Sequence, residues 1–214
     1  CMKNIVISLF GSSIMEGVAG ASTPGERWYS VLHRMLSDRF PDICFSIVNA
    51  AVGGESTREL MAHVDRDVFS RNPDYCLCMF GWNNDDVLKP GRRVFPDELQ
   101  ELMDEFTKLA QDANCTPIGI VTNPVLEEFH FCSRVPEYKA INDPAGGMDA
   151  YHDWERDMSR RHFEAHCWDY VDLYKLMLDR KYDFMPHSDG IHLTVEGHRF
   201  FAEKVFECLE KLVA

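Results

Sequence analysis

The stretch "NIVISLFGSSIMEG" (Asn4–Gly17) decides the architecture. From Ile5 to Phe10 every residue is apolar or small, without the alternation of a half-exposed strand. Such a run is expected of a parallel strand covered on both faces. It stops at Gly11, and two serines follow at the entry to a short helical segment. A serine there lies next to exposed backbone N–H groups, which suit an anion. Ser12 and Ser13 are therefore ordinary turn residues, or one of them is a nucleophile; the partners elsewhere in the chain decide which.

The same pattern recurs. "FSIVNAAV" (45–52), "YCLCMF" (75–80), "PIGIVTN" (117–123) and "WDYVDLY" (168–174) read as further strands. Helical 3-and-4 spacing runs through Trp28, Val31, Leu32, Met35 and Leu36, and through Leu99, Leu102, Met103, Phe106, Leu109 and Ala110 behind Pro96. Phe201, Val205, Leu209 and Leu212 repeat it near the end. Strand–helix alternation predicts an α/β fold, a three-layer α/β/α sandwich around a mostly parallel five-stranded sheet. The absence of repeats and linkers predicts a single domain over 1–214. Only 124–148, "PVLEEFHFCSRVPEYKAINDPAGGM", reads as a long irregular segment, the usual place for a lid or binding loop.

Composition narrows the function. Hydrophobic residues at 45% and charged residues at 27% describe a globular chain rather than a disordered one. A formal net charge of -13 argues against nucleic acid and against a polybasic membrane contact. No apolar run approaches the roughly 20 residues of a membrane span. The eight cysteines form no CxxC pair. Cys76 and Cys78 alternate along one strand and so share a face, as core fillers would. Reduced thiols and a cytoplasmic setting are expected. Cys1 ahead of Met2 reads as an addition before the natural start, a lipidated N-terminal cysteine being the alternative.

In such a fold ligands sit beyond the carboxyl ends of the strands. Polar, glycine-rich segments stand at those ends: "GSSIMEG" after the first strand, "VGGEST" after the second, "GWNNDD" after the third. A fourth, "HSDGIHLTVEGH" (187–198), precedes the last helix. In "DGIH", Asp189 can accept the Nδ1 proton of His192, fix its tautomer and stabilise the imidazolium. Asp189 and His192 are alternatively part of a helix cap, although Thr194 already fits the N-cap position. A metal reading draws on His187, Asp189, His192, Glu196 and His198, but their spacing follows no standard zinc pattern. A serine nucleophile, glycines that permit close backbone approach, and the Asn83 amide as an oxyanion donor complete the constellation.

In this order the segments resemble the SGNH hydrolases, the GDSL esterase/lipase family. "FGSSIMEG" stands where that family commonly has FGDSITEG, "NAAVGGEST" resembles its second block, "GWNN" its GxND and "DGIH" its DxxH. The resemblance runs from Asn4 to about Phe206. It implies a flavodoxin-like sheet, Ser13 as nucleophile, His192 as base and Asp189 as its orienter. It also implies an oxyanion hole of the Ser13 and Gly54 N–H groups and the Asn83 amide. Ser12 and Asn84 depart from the family, each standing in place of an aspartate. Loss of two carboxylates near the nucleophile is expected to favour an anionic ligand.

The expected activity is a serine esterase that cleaves short acyl groups, such as acetyl, from a sugar or small alcohol. It needs no cofactor and no metal, and its partner is a small-molecule ester. Trp82, Phe129 and Phe131 are the candidate substrate-binding walls, because charged residues interleave the apolar ones in 124–148 and disfavour a broad lipase lid. The alternative on the same fold is a carbohydrate- or lipid-binding protein with little turnover.

Overall fold

Each strand places alternate side chains on opposite faces, and the two faces have separate cores. In the computed structural model, which describes residues 3–214, the strands are β1 (Lys3–Phe10), β2 (Ile43–Asn49), β3 (Tyr75–Cys78), β4 (Thr116–Val121) and β5 (Tyr170–Asp172). The order is β2-β1-β3-β4-β5, and each adjacent pair is parallel. The main helices are α1 (Ser13–Glu16), α2 (Trp28–Arg39), α3 (Thr57–Met61), α4 (Pro96–Asp112), α5 (Pro136–Asn142), α6 (Asp153–Ala165) and α7 (Val195–Val213). Shorter turns connect them.

Ile5, Ile7 and Leu9 of β1, Leu77 of β3 and Ile118 and Ile120 of β4 join Trp28, Leu32 and Leu36 of α2 and Phe201, Val205 and Leu209 of α7. The opposite face sets Phe10, Cys76, Cys78 and Val121 against Leu99, Met103 and Phe106 of α4 and Phe163 of α6. These are the three layers that the patterning predicts. Cys76 and Cys78 share a face, as expected, and burial pushes both thiols well up from their ordinary value. Cys44, Cys76, Cys78, Cys115, Cys132, Cys167 and Cys208 are free thiols; Cys1 lies outside the described residues. Among the described residues no helix is long and apolar enough to cross a membrane.

Three expectations change. The segment 124–148 is not irregular: it holds α5 and short turns at Phe131–Arg134 and Asp143–Ala145. Pro136 and Pro144 stand in the first positions of α5 and of the Asp143–Ala145 turn instead of breaking one long helix. The fifth strand shrinks to Tyr170–Asp172, because the Asp172 carboxylate accepts the Lys175 N–H and caps the following helical turn. On α7, Leu212 is exposed and Val213 is buried in its stead.

The strand order reverses between β1 and β3, so their carboxyl ends splay into a crevice. Bonds past the strand ends hold the loops in register there. Val52 N–H donates to Gly11 O at 3.0 Å, and Met79 N–H donates to Phe10 O at 3.0 Å.

Candidate active site

Gly11 ends β1 at φ +150°, and a Cβ there would strike the Met15 side chain, so the turn into α1 requires glycine. α1 then presents Ser13 at its first position. Glu16, one turn on, ties the second loop to it: the Gly53 N–H donates to Glu16 Oε2 at 2.6 Å, and Asn49 Nδ2 donates to Glu16 O at 3.1 Å. Gly54 follows at φ +81° with open space where a Cβ would stand. Arg92 Nη2 fixes its carbonyl at 2.6 Å. Among the described residues neither the Ser13 nor the Gly54 backbone N–H donates to a protein acceptor. Ser13, Gly54, Asn83 and His192 all line one cleft of about 490 Å³.

The "DGIH" turn supplies the other side. Asp189 Oδ1 accepts the N–H groups of Ile191 and His192 at 2.9 and 3.0 Å, which fixes the carboxylate before it meets the ring. Asp189 Oδ2 lies 2.9 Å from His192 Nδ1, and His192 Nε2 lies 2.9 Å from Ser13 Oγ. Burial raises the Asp189 pKa, but the hydrogen bonds from His192 and Ile191 outweigh it and bring the group down to about 2. Asp189 is therefore ionised at neutral pH and accepts the Nδ1 proton. That leaves the Nε2 lone pair for the Ser13 hydroxyl. Thr194 caps α7 as its position suggests, accepting the Gly197 N–H at 3.0 Å.

The residues of the metal reading disperse. His198 is buried, with Nδ1 accepting the Trp28 N–H at 3.2 Å and Nε2 donating to Ala19 O at 2.9 Å. Glu196 pairs with Arg180, and His187 stacks on Phe129 at 4.5 Å. That stacking also corrects one substrate-wall expectation. Phe129 packs against the core and His187, while Trp82 and Phe131 line the cleft. Ser12 and Asn84 are buried and line neither this cleft nor the pocket beside it, so the expectation of an anionic ligand loses its basis.

Sequence patterning missed the residues that brace the site from behind. Trp82 adopts φ +68° and ψ -58°, a costly conformation for a bulky residue that its surroundings must hold. Its N–H donates to Glu155 Oε2 at 3.2 Å, and its indole N–H donates to Asn123 Oδ1 at 3.2 Å. Asn123 Nδ2 donates in turn to Ile191 O at 2.8 Å, so one buried amide links the Trp82 loop to the His192 turn. His130, buried and lining the cleft, also went unsignalled; desolvation brings its pKa down to about 4, so it is neutral at pH 7.

Glu155 is the unusual member. Burial pushes its pKa up to about 7 against the opposing pull of the Trp82 N–H and the Asn84 amide. Asn84 Nδ2 and Glu155 Oε1 each lack a hydrogen bond of good geometry, although the amide still favours the ionised carboxylate. An aspartate at 84 would set two buried carboxylates together, and Asn84 avoids this. The unfolded chain titrates Glu155 near 4.5, so its contribution to stability is fully present below that pH. The contribution is lost as pH rises through about 7. The separation is worth about 3 kcal/mol. Glu155→Gln should therefore gain stability over the parent between pH 5 and pH 8, measured by urea unfolding at both. Equal differences at the two pH values would show that Glu155 stays ionised throughout.

The arrangement can carry out acyl transfer. As Ser13 Oγ bonds to a carbonyl carbon placed above it, its proton would pass to His192 Nε2, and the carbonyl oxygen, taking up the negative charge, would meet unpaired N–H donors at the start of α1. Comparison with known proteins bears on the family and the fold. Residues 9–200 match the sequence model described as the GDSL-like Lipase/Acylhydrolase family. An uncharacterized lipoprotein, YqeF, of Bacillus subtilis (strain 168) is 28% identical over 123 residues, 54% of this chain and 51% of that protein. An acetylxylan esterase of Geobacillus stearothermophilus is 24% identical over 117 residues, 55% of this chain and 50% of that protein. The matches thus span about half the length of these curated relatives. The crystal structure of a lipase/acylhydrolase from Enterococcus faecalis superposes with a TM-score of 0.75 at 17% identity, covering 97% of this chain and 96% of that one. At that identity it shows a shared fold.

Proposed function

Because the chain belongs to the GDSL-like Lipase/Acylhydrolase family, we propose that it is a carboxylic ester hydrolase working through an acyl-enzyme on Ser13. His192 takes the Ser13 proton as the hydroxyl attacks and returns it to the departing alcohol. Asp189 holds the ring and the positive charge it gains. The Ser13 and Gly54 N–H groups and the Asn83 amide stabilise the oxyanion, and water then releases the acid. One observation carries the reading: the Asp189–His192–Ser13 chain closes at 2.9 and 2.9 Å inside a cleft with unpaired donors.

We infer a short acyl group, such as acetyl, on a sugar or small alcohol. A pocket of about 250 Å³ adjoins the cleft, walled by Trp82, Phe131, Tyr138 and Met148. Asp85, Asp86 and Arg92 also line it, so it suits a hydroxylated group better than an alkyl chain. The acetylxylan esterase relative supports the same choice. The test is a p-nitrophenyl ester series. Acetyl to butyryl esters should show higher kcat/KM than octanoyl and longer ones. A longer apolar groove would reveal itself as kcat/KM rising with each methylene, each worth up to ~1 kcal/mol. That trend would replace the short-acyl reading with a fatty ester.

A further inference from the structure

A second histidine constellation lies away from Ser13. α6 runs from the level of the Trp82 loop back to the start of β5, so its last turn sits toward the amino ends of the strands. There His162, in the last turn, and His166, the residue that caps the helix, have ring centroids 4.5 Å apart. From the facing helix α4, Asp104 Oδ1 approaches His162 Nδ1 to 3.6 Å. One ligand atom from each of Asp104, His162 and His166 lies within 4.8 Å of the other two.

The surroundings fix which nitrogen of His162 is free. Thr107 Oγ1 donates its proton to Met103 O at 2.8 Å, so in its 2.8 Å contact with His162 Nε2 the hydroxyl must accept. The ring therefore carries its proton on Nε2 and keeps its Nδ1 lone pair on the side of Asp104. Metal-bound histidines are commonly oriented this way, with the second ring N–H held by an oxygen acceptor. The Gln100 amide satisfies Nδ1 at 3.3 Å and also donates to Asp104 at 3.0 Å, so it occupies the space an ion would take between them.

We propose that His162 Nδ1, His166 and Asp104 form a transition-metal site that staples α6 to α4. Two imidazoles and one carboxylate suit zinc or a neighbouring divalent metal, with water as a further ligand, whereas calcium and magnesium prefer oxygen donors throughout. No step of ester hydrolysis passes through it, so the site stands or falls independently of the proposed activity. Joining two helices that pack on the same sheet face, a bound ion would act on stability.

Zn²⁺ titrated calorimetrically into tag-free protein at pH 7.5, with Co²⁺ absorption as a second probe, tests this. One ion per chain should bind, and saturating Zn²⁺ should raise Tm by about 5 °C. His166→Ala and Asp104→Asn alter exposed side chains and should keep the fold. Each should weaken binding by at least about 10-fold, and His166→Ala should abolish the Tm rise. Thr107→Val, which frees the Nε2 proton from its acceptor, should also cost about 10-fold or more. Absence of saturable binding below about 100 μM Zn²⁺ would overturn the site. So would binding that His166→Ala and Asp104→Asn leave unchanged, or that is lost only in His192→Ala.

Discussion

Ser13→Ala is expected to lower kcat on p-nitrophenyl acetate by at least about 10³-fold, because nucleophile, base and orienter act as a unit. The neighbouring serine is the control. Ser12 stands at the N-cap of α1, and its side chain makes no capping hydrogen bond; only its carbonyl serves the helix, accepting the Glu16 N–H at 2.9 Å. Ser12→Ala should therefore keep most of the activity. Both variants should melt near the parent temperature. An inactive Ser12→Ala beside an active Ser13→Ala would move the nucleophile by one residue and leave the 2.9 Å contact with His192 without a role.

The second large effect belongs to Asn83. An amide that donates to the oxyanion strengthens its bond as charge develops. Asn83→Ala should thus reduce kcat by about 10²- to 10³-fold with little change in KM. The backbone around it is braced independently, through the Trp82 N–H on Glu155 and the Trp82 indole on Asn123, so removal of the amide should leave the loop in place. A structural Asn83 would give the opposite pattern: a lower Tm and an unchanged kcat in the folded fraction.

The sheet was legible because β1, β3 and β4 are covered on both sides and so read as apolar runs. α2, α4 and α7 were legible from their stripes. α6 was not, since its buried face carries Glu155, Arg156, Ser159 and His162 beside Met158 and Phe163. Those polar residues are buried for the contacts they make across the fold, and no periodicity in one segment foretells that. The site divides the same way. Ser13, Gly54, Asn83, Asp189 and His192 stand in short segments after strands or before a helix, where backbone geometry restricts the residue types. Asn123 and Glu155 act on loops distant in sequence, Asn123 reaching Ile191 across 68 residues, and His130 lines the cleft from a segment remote from Ser13. Phe129 was misread because a strap residue can face the core or the cleft, and only its stacking on His187 decides.

The proposed reaction depends on Ser13 being an activated nucleophile. Incubation with a fluorophosphonate, followed by intact-mass measurement and peptide mapping, tests it most directly, since only a serine whose proton His192 can remove reacts readily. One adduct per chain is expected, on the peptide that carries Ser13, with much slower labelling in His192→Ala. Labelling at Ser12, or ester turnover by a protein that takes up no probe, would contradict it.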